Sequence, residues 1–426
     1  MLIISRAIAG LGCSGIFGLV DIIVADITTI RERGKFYAVM TMVWAFSSAV
    51  GPLIGGLFVD RVSWRWIFYI NLPLGLITLP LVNHFLRLPS PKQESIYSAL
   101  GGIDWLGSFF IGAAIACFLI GVQGAGTQFD WNSAAFICLM ILTIIFGTLF
   151  IYVEGWVTKN PVIPLSLFRD RNVVGTCLAA FFIGMTFLPN LYMPEWFQVV
   201  LGVDATMSGI RTFPFVFSML IFQIATSTIT DSTGICFPFI PMGAVFFSVG
   251  AGLLSILDAS SELWKQIVFL FILGIGPGLA LNSNLVLVQT GLSGNAIAVA
   301  ISTLNLIQVL GSTISPAIGA AIFNSEIANH INTNLASANI TITVPAGYDP
   351  SIIYTDPTVV HNTEIIASGS LAQLALINAY VQTISTEFLI GVAFGGGLLV
   401  VSLLMNKKRL PVHTENKEVE LNFIEA

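Results

Sequence analysis

The chain is 426 residues long, 55% hydrophobic and only 9% charged, with a formal net charge of −6. A soluble domain carries about a quarter charged residues. This composition cannot cover a water-facing surface, which excludes a soluble globular protein and makes the transmembrane helix the unit to count.

Eleven apolar runs are each long enough to cross the hydrocarbon core as helices, over 1–24, 36–58, 66–86, 103–122, 132–153, 173–193, 207–229, 238–257, 266–288, 297–322 and 384–405. They are continuous rather than alternating, so the predicted fold class is all-α and a membrane barrel is set aside. The first run places Arg6 among apolar and small residues, followed by Gly10, Gly12 and Gly15, and carries Asp21 near its far end. A charge inside a spanning helix costs roughly 2.5–3.5 kcal/mol on insertion scales, so it usually faces a bundle interior or a cavity. The bland alternative is an arginine that snorkels outward to the interface.

The second run carries SSAVGPLIGG, in which Ser47, Gly51 and Gly55 are spaced i, i+4, i+8 and share one helix face. Such a stripe lets two backbones approach, and Pro52 removes a donor and loosens the helix. Spacing alone leaves open whether the stripe serves movement or static packing. Further on, Gln198, Asn282, Asn284 and Gln289 are neutral polar groups on apolar helices. They suit either a cavity lining or bonds to neighbouring helices, with the second slightly preferred. Arg211 lies one turn into its helix, where snorkelling or an ion pair with Asp204 or Glu195 competes with a gating role. His84 and Glu154 fall at helix ends and are expected to be solvated.

Lys and Arg set the orientation. One side holds Arg31, Arg33, Lys35, Arg87, Lys92, Lys159, Arg169, Arg171 and the tail's Lys407, Lys408, Arg409 and Lys417; the other holds only Arg61, Arg65 and Lys265. The first side is therefore cytoplasmic. The polar segment 323–383 then lies outside as a long loop without Lys or Arg, and contains the glycosylation acceptor Asn339-Ile340-Thr341. The five cysteines show no ligand or disulfide spacing. No nucleophile–base pair, metal set or Gly-x-x-x-x-Gly-Lys-Ser/Thr phosphate loop occurs, so no cofactor, no enzymatic activity and no ATP-driven step is expected.

The run GPLIGGLFVDRVSWRWIFYINLPLG, Gly51 to Gly75, resembles the fourteen-helix drug–proton antiporters of the major facilitator superfamily, of the fungal multidrug and toxin efflux type. Gly51, Pro52, Gly55 and Gly56 match the antiporter motif of that family's fifth helix. Trp64, Arg65, Trp66, Phe68, Asn71, Pro73 and Gly75 match the opening of the sixth. Arg6 and Gly10 match the fourth helix, with Ala9 where a glutamine is frequent; Asp104-Trp105-x-Gly107 matches the first linker helix. PEWFQVVLGVDATMSGIRTFP and GIGPGLALNSNLVLVQ resemble the ninth to tenth and the twelfth. TDSTGICFPF keeps Gly234 of the C-terminal loop motif but lacks its basic residues, and Asp21 and Glu195 are acids where neutral residues are usual.

The resemblance implies helices four to fourteen, with Met1 falling inside the fourth. The expected organisation is 1–86 as the remainder of an N-terminal bundle, 87–172 as two linker helices with their loops, 173–406 as a six-helix bundle, and 407–426 as a disordered cytoplasmic tail. It implies a proton-coupled antiporter exporting small amphipathic molecules by alternating access, with Arg6 facing the central cavity in proton coupling. The alternatives are a non-transporting fragment, or the same fold in uptake or vacuolar sequestration. The implied partners are a small-molecule substrate, protons and the bilayer. No nucleic acid is expected, the chain is expected to be a monomer, and the expected membrane is the plasma membrane.

Overall fold

The computed structural model describes residues 2–27, 33–85, 102–125, 128–158, 161–163, 165–290, 292, 295–340, 342, 353, 357–362, 365–367 and 369–405. The expected cytoplasmic tail 407–426 lies outside them. Every apolar run is helical. In chain order the helices are α1 (Leu2–Ile27), α2 (Arg33–Arg61), the short α3 (Trp66–Tyr69), α4 (Asn71–Phe85), α5 (Trp105–Gly124), α6 (Ala134–Tyr152), α7 (Arg171–Met185), α8 (Leu188–Leu201), α9 (Ala205–Arg211), α10 (Phe213–Thr233), α11 (Phe239–Leu254), α12 (Leu263–Gln289), α13 (Asn295–Ser337) and α14 (Leu371–Leu404). Eight stretches among the described residues are long and apolar enough to cross a membrane.

Proline divides two of the runs. Pro189 sits in the first turn of α8 and Pro214 in that of α10, where a missing N–H costs nothing. The runs at 173–193 and 207–229 are therefore each two helices in series, α7–α8 and α9–α10, instead of one. The loop expected to lie outside is also shorter than 323–383. α13 continues to Ser337 and α14 begins at Leu371, with the Ser370 hydroxyl accepting from the Gln373 N–H at its start. Polar side chains do not end a helix whose backbone is already paired, so the loss of hydrophobicity at 323 marks an emergence from the apolar core and not a chain reversal.

α7 to α14 form the closed part of the molecule. Trp196, Phe197, Phe215, Phe247, Tyr380 and Phe388 are all sealed within it. In lipid no water-driven force pulls helices together, so close packing through small residues must do it. Gly184 of α7 lies on the Gln308 carbonyl of α13, and Gly311 of α13 on the Phe181 carbonyl of α7. Gly274 and Gly278 flank Pro277 and let α12 lie against the α10 backbone at Phe215 and Met219, while Gly276 meets Phe247 of α11. The apolar outer faces of α1, α4 and α6 stay uncovered, with Ile3, Leu11, Leu76, Leu79 and Ile144 exposed, as befits helices bathed in lipid.

α5 and α6 pair with each other. Asp104 caps α5, its carboxylate accepting from the Gly107 N–H at 2.8 Å. Glu154, expected to be solvated, is instead buried and accepts from the Val162 and Ile163 N–H groups at 3.0 and 3.2 Å. The chain after α6 folds back and offers two free amides to it, a local event that sequence position did not announce. His84 is exposed as expected.

Candidate functional site

The first feature lies where α2 meets the closed bundle. Gly56 is buried, and a Cβ there would stand 2.7 Å from the Ala205 carbonyl oxygen and 2.8 Å from the Thr206 Cα. Asp60, one turn on, accepts from the Thr206 N–H at 2.9 Å and from its hydroxyl. The first turn of a helix has orphan amides that favour an anion, so Asp60 anchors the start of α9. The Thr206 hydroxyl, the larger influence, and the Thr206 amide hold the Asp60 carboxyl below the usual carboxylate range. The glycine stripe is displaced from its expected place: Ser47 is exposed, and a Cβ at Gly51 or Gly55 would meet nothing within 4 Å. The close backbone approach of α9 falls at Gly56, past the stripe. The Pro52 side chain lies outside the described residues.

The polar residues of the spanning helices divide by what they touch. Arg6 is exposed, its guanidinium 5.9 Å from the Phe68 ring, a stacking contact with the WRWIF segment. The described residues around it on α1 are exposed as well, so its exposure does not separate the cavity from the interface. The Asp21 side chain lies outside the described residues. Arg211 turns to the Gln266 amide oxygen at 3.4 Å and to the Phe197 ring at 5.8 Å. The expected Asp204 partner is occupied in capping α9 through the Met207 N–H.

Asn284 is buried and donates to the Thr176 carbonyl of α7 at 3.0 Å. That is the helix-binding alternative. Asn172, not singled out by sequence, mirrors it by donating to the Leu287 carbonyl and the Thr290 hydroxyl. Gln289 bonds its own helix at the Leu285 carbonyl, and Asn282 is half-buried. Gln198 donates to the Pro194 carbonyl and, with Glu195 and His361, lines a cleft of about 500 Å³ at the end of α8. His361 is fixed there by the Val199 carbonyl, 2.7 Å from its Nε2.

The residue sequence reasoning missed is Glu387. It sits mid-way along α14 with no exposed surface, and neither carboxylate oxygen has a hydrogen-bond partner among the described residues. Gly319 of α13 faces it: a Cβ at that position would stand 2.8 Å from Glu387 Oε2 and 3.0 Å from Leu188 and Tyr192 of α8. The signal was present, since Glu387 falls inside the apolar run 384–405 and an acid there merits the question asked of Arg6. Among the described residues no group of three or more His, Cys, Asp or Glu is placed to hold a metal ion.

Residues 1–316 match the family model described as Major Facilitator Superfamily. The chain belongs to the major facilitator superfamily. It is 34% identical over 427 residues to the efflux pump dotC of Dothistroma septosporum, covering 99% of this chain and 71% of that protein. It is 31% identical to the MFS-type transporter ptmT of Penicillium ochrochloron, over 89% of this chain and 69% of that one. It is 34% identical to the efflux pump aunC of Aspergillus niger, over 81% and 66%. A crystallised bacterial homologue of the human lysosomal transporter Spinster, inward-facing and unoccupied, aligns over 93% of this chain and 87% of its own, at 16% identity and a TM-score of 0.45. Like other major facilitators, this is a multi-pass membrane transporter and not an enzyme, and it handles small molecules within the membrane.

Proposed function

We propose that the chain is a proton-coupled antiporter that exports small amphipathic molecules from the cytoplasm across the plasma membrane by alternating access. The observation that carries this reading is the contact of Gly56 and Asp60 with the first turn of α9. It brings the GPLIGG helix against the bundle, where α2 packs on α9 and α10, with a bare backbone approach at Gly56 and an exposed hydrogen-bonded pair at Asp60. Such a joint can open and close without unfolding either side, which alternating access requires. Two of the relatives named above are efflux pumps, which favours the outward direction. With no phosphate loop in the sequence, an ion gradient is the available energy source. Arg6 and Asp21 remain candidates for the proton path, and Gln198, Arg211, Asn282 and Gln289 for the substrate path.

The test is efflux of a fluorescent amphipathic dye from vesicles holding the protein, with and without an imposed proton gradient. Gradient-stimulated efflux is expected. Transport that ignores the gradient would remove proton coupling and leave the export reading.

A further inference from the structure

Glu387 calls for an account of its charge. A carboxylate with no exposed surface and no hydrogen-bond partner is far too costly to leave ionised in an apolar surround, unless a cation stands beside it. Among the described residues, none of the elements packed around it sets a cation within hydrogen-bond reach of its oxygens. α8 brings Glu195 and Tyr192, and α13 brings Glu326 and His330; the charges of Glu195 and Glu326 bear on Glu387, and the His330 imidazole is engaged by the Thr383 hydroxyl at 2.9 Å. α11 carries no titratable residue. α7 carries Arg171, exposed at its cytoplasmic start, and Cys177. The short helix Pro357–His361 carries His361, which is held at the Val199 carbonyl. Glu387 therefore faces carboxylates, a phenol and apolar side chains, with the His330 imidazole one turn away at Thr383.

We infer that Glu387 is a proton-exchanging carboxylate of the C-terminal bundle, neutral while α8, α13 and α14 are closed around it and ionised when α13 moves away and water enters. The chemistry is one proton bound to one carboxylate oxygen and released to water, with no other group changed. Two features favour a proton over the cationic part of a substrate. Both oxygens are sealed, and the space opposite them is only as wide as a glycine: Gly319 leaves no room for a ligand atom.

Polar side chains lie beyond the site, toward the start of α14. Thr383 lies one turn before Glu387 on the same face of α14, and its hydroxyl is 2.9 Å from His330 Nδ1 of α13. Half-buried Glu326 lies one turn from His330 on α13. Glu387 stands 17 residues before Leu404, about 25 Å along the helix from its cytoplasmic end. With a hydrocarbon core about 30 Å thick, that places it near the outer boundary.

The inference rests on the antiport reading for its purpose, but its chemistry can be read separately. The first measurement is infrared difference spectroscopy of the reconstituted protein across a pH series, without substrate or gradient. A protonated carboxylic acid has a carbonyl stretch distinct from a carboxylate. A titrating carboxylic-acid band is expected in the native chain, lost in Glu387→Gln and retained, displaced, in Glu387→Asp. The second is dye transport. Glu387→Gln should lose stimulation by the proton gradient while still exchanging dye down its own gradient. An identical band in native protein and Glu387→Gln overturns the inference, as does full gradient stimulation in Glu387→Gln. Should Glu387→Gln fail to fold, a folded Glu387→Asp without a titrating band overturns it equally. A Glu387-dependent band in a protein that shows no gradient-driven efflux would sink the antiport reading and leave the proton site standing.

Discussion

Gly56 of α2 and Ala205 of α9 meet backbone to backbone, with a hypothetical Cβ at position 56 only 2.7 Å from the Ala205 carbonyl oxygen. Any side chain there must push the two helices apart. Gly51, five residues earlier in the same motif, has open space around its Cα. Gly56→Leu should therefore lower efflux sharply, with strain of about 1–3 kcal/mol at the joint. Gly51→Leu should be nearly silent while that joint is closed. Dye efflux normalised to the amount of inserted protein compares them. Equal losses in both variants would mean that the whole stripe is used in another conformation.

The Asp60–Thr206 pair gives the same joint a pH dependence. Asp60 lies past the apolar run 36–58, at the end of α2, and its folded-state carboxyl sits below its ordinary value, chiefly through the Thr206 hydroxyl. A lowered folded value means that the contact's contribution is complete above the ordinary carboxylate range. It is lost as pH falls through the lowered value. Protection of the Thr206 amide from hydrogen exchange, corrected for the intrinsic rate, should hold from neutral pH down into the acid range and then collapse. Asp60→Asn should show reduced protection at every pH.

Asn284 should behave as a structural residue. Its side chain ties α12 to the Thr176 carbonyl of α7, and interhelical bonds in membranes average about 0.6 kcal/mol with a maximum near 1.7. Asn284→Ala should lower the unfolding free energy in detergent by an amount in that range while dye affinity stays unchanged. A weakened dye affinity at constant stability would return Asn284 to the cavity lining.

Asn339 ends α13 with φ of 55°, exposed, while the Ile340 N–H reaches back to the Leu335 carbonyl. That left-handed cap suits Asn or Gly and also displays the acceptor amide of the sequon. Enzymatic deglycosylation should shift the mobility of the native protein and not that of Asn339→Gly, which keeps the cap and removes the acceptor. No shift in protein expressed in a eukaryotic host would place this loop away from the lumenal and outer side.

The sequence by itself determined that this protein is a bundle of membrane helices, and roughly which segments form them. Lipid offers backbone groups no partner, so an apolar run of sufficient length is helical whatever its neighbours do. It determined the family too, because GPLIGG and WRWIFYINLPLG are local strings that survive without any knowledge of packing. Only the tertiary structure decided which residues of those strings matter. The stripe of Ser47, Gly51 and Gly55 and the bare Gly56 look alike in one dimension; the seat of α9 against Gly56 separates them. The same holds for the charges. Glu154 and Glu387 are two acids at apolar helices, yet one finds two backbone amides and the other finds none. Hydropathy measures what a segment prefers as solvent, whereas the partner of a single polar atom is set by chain segments distant in sequence.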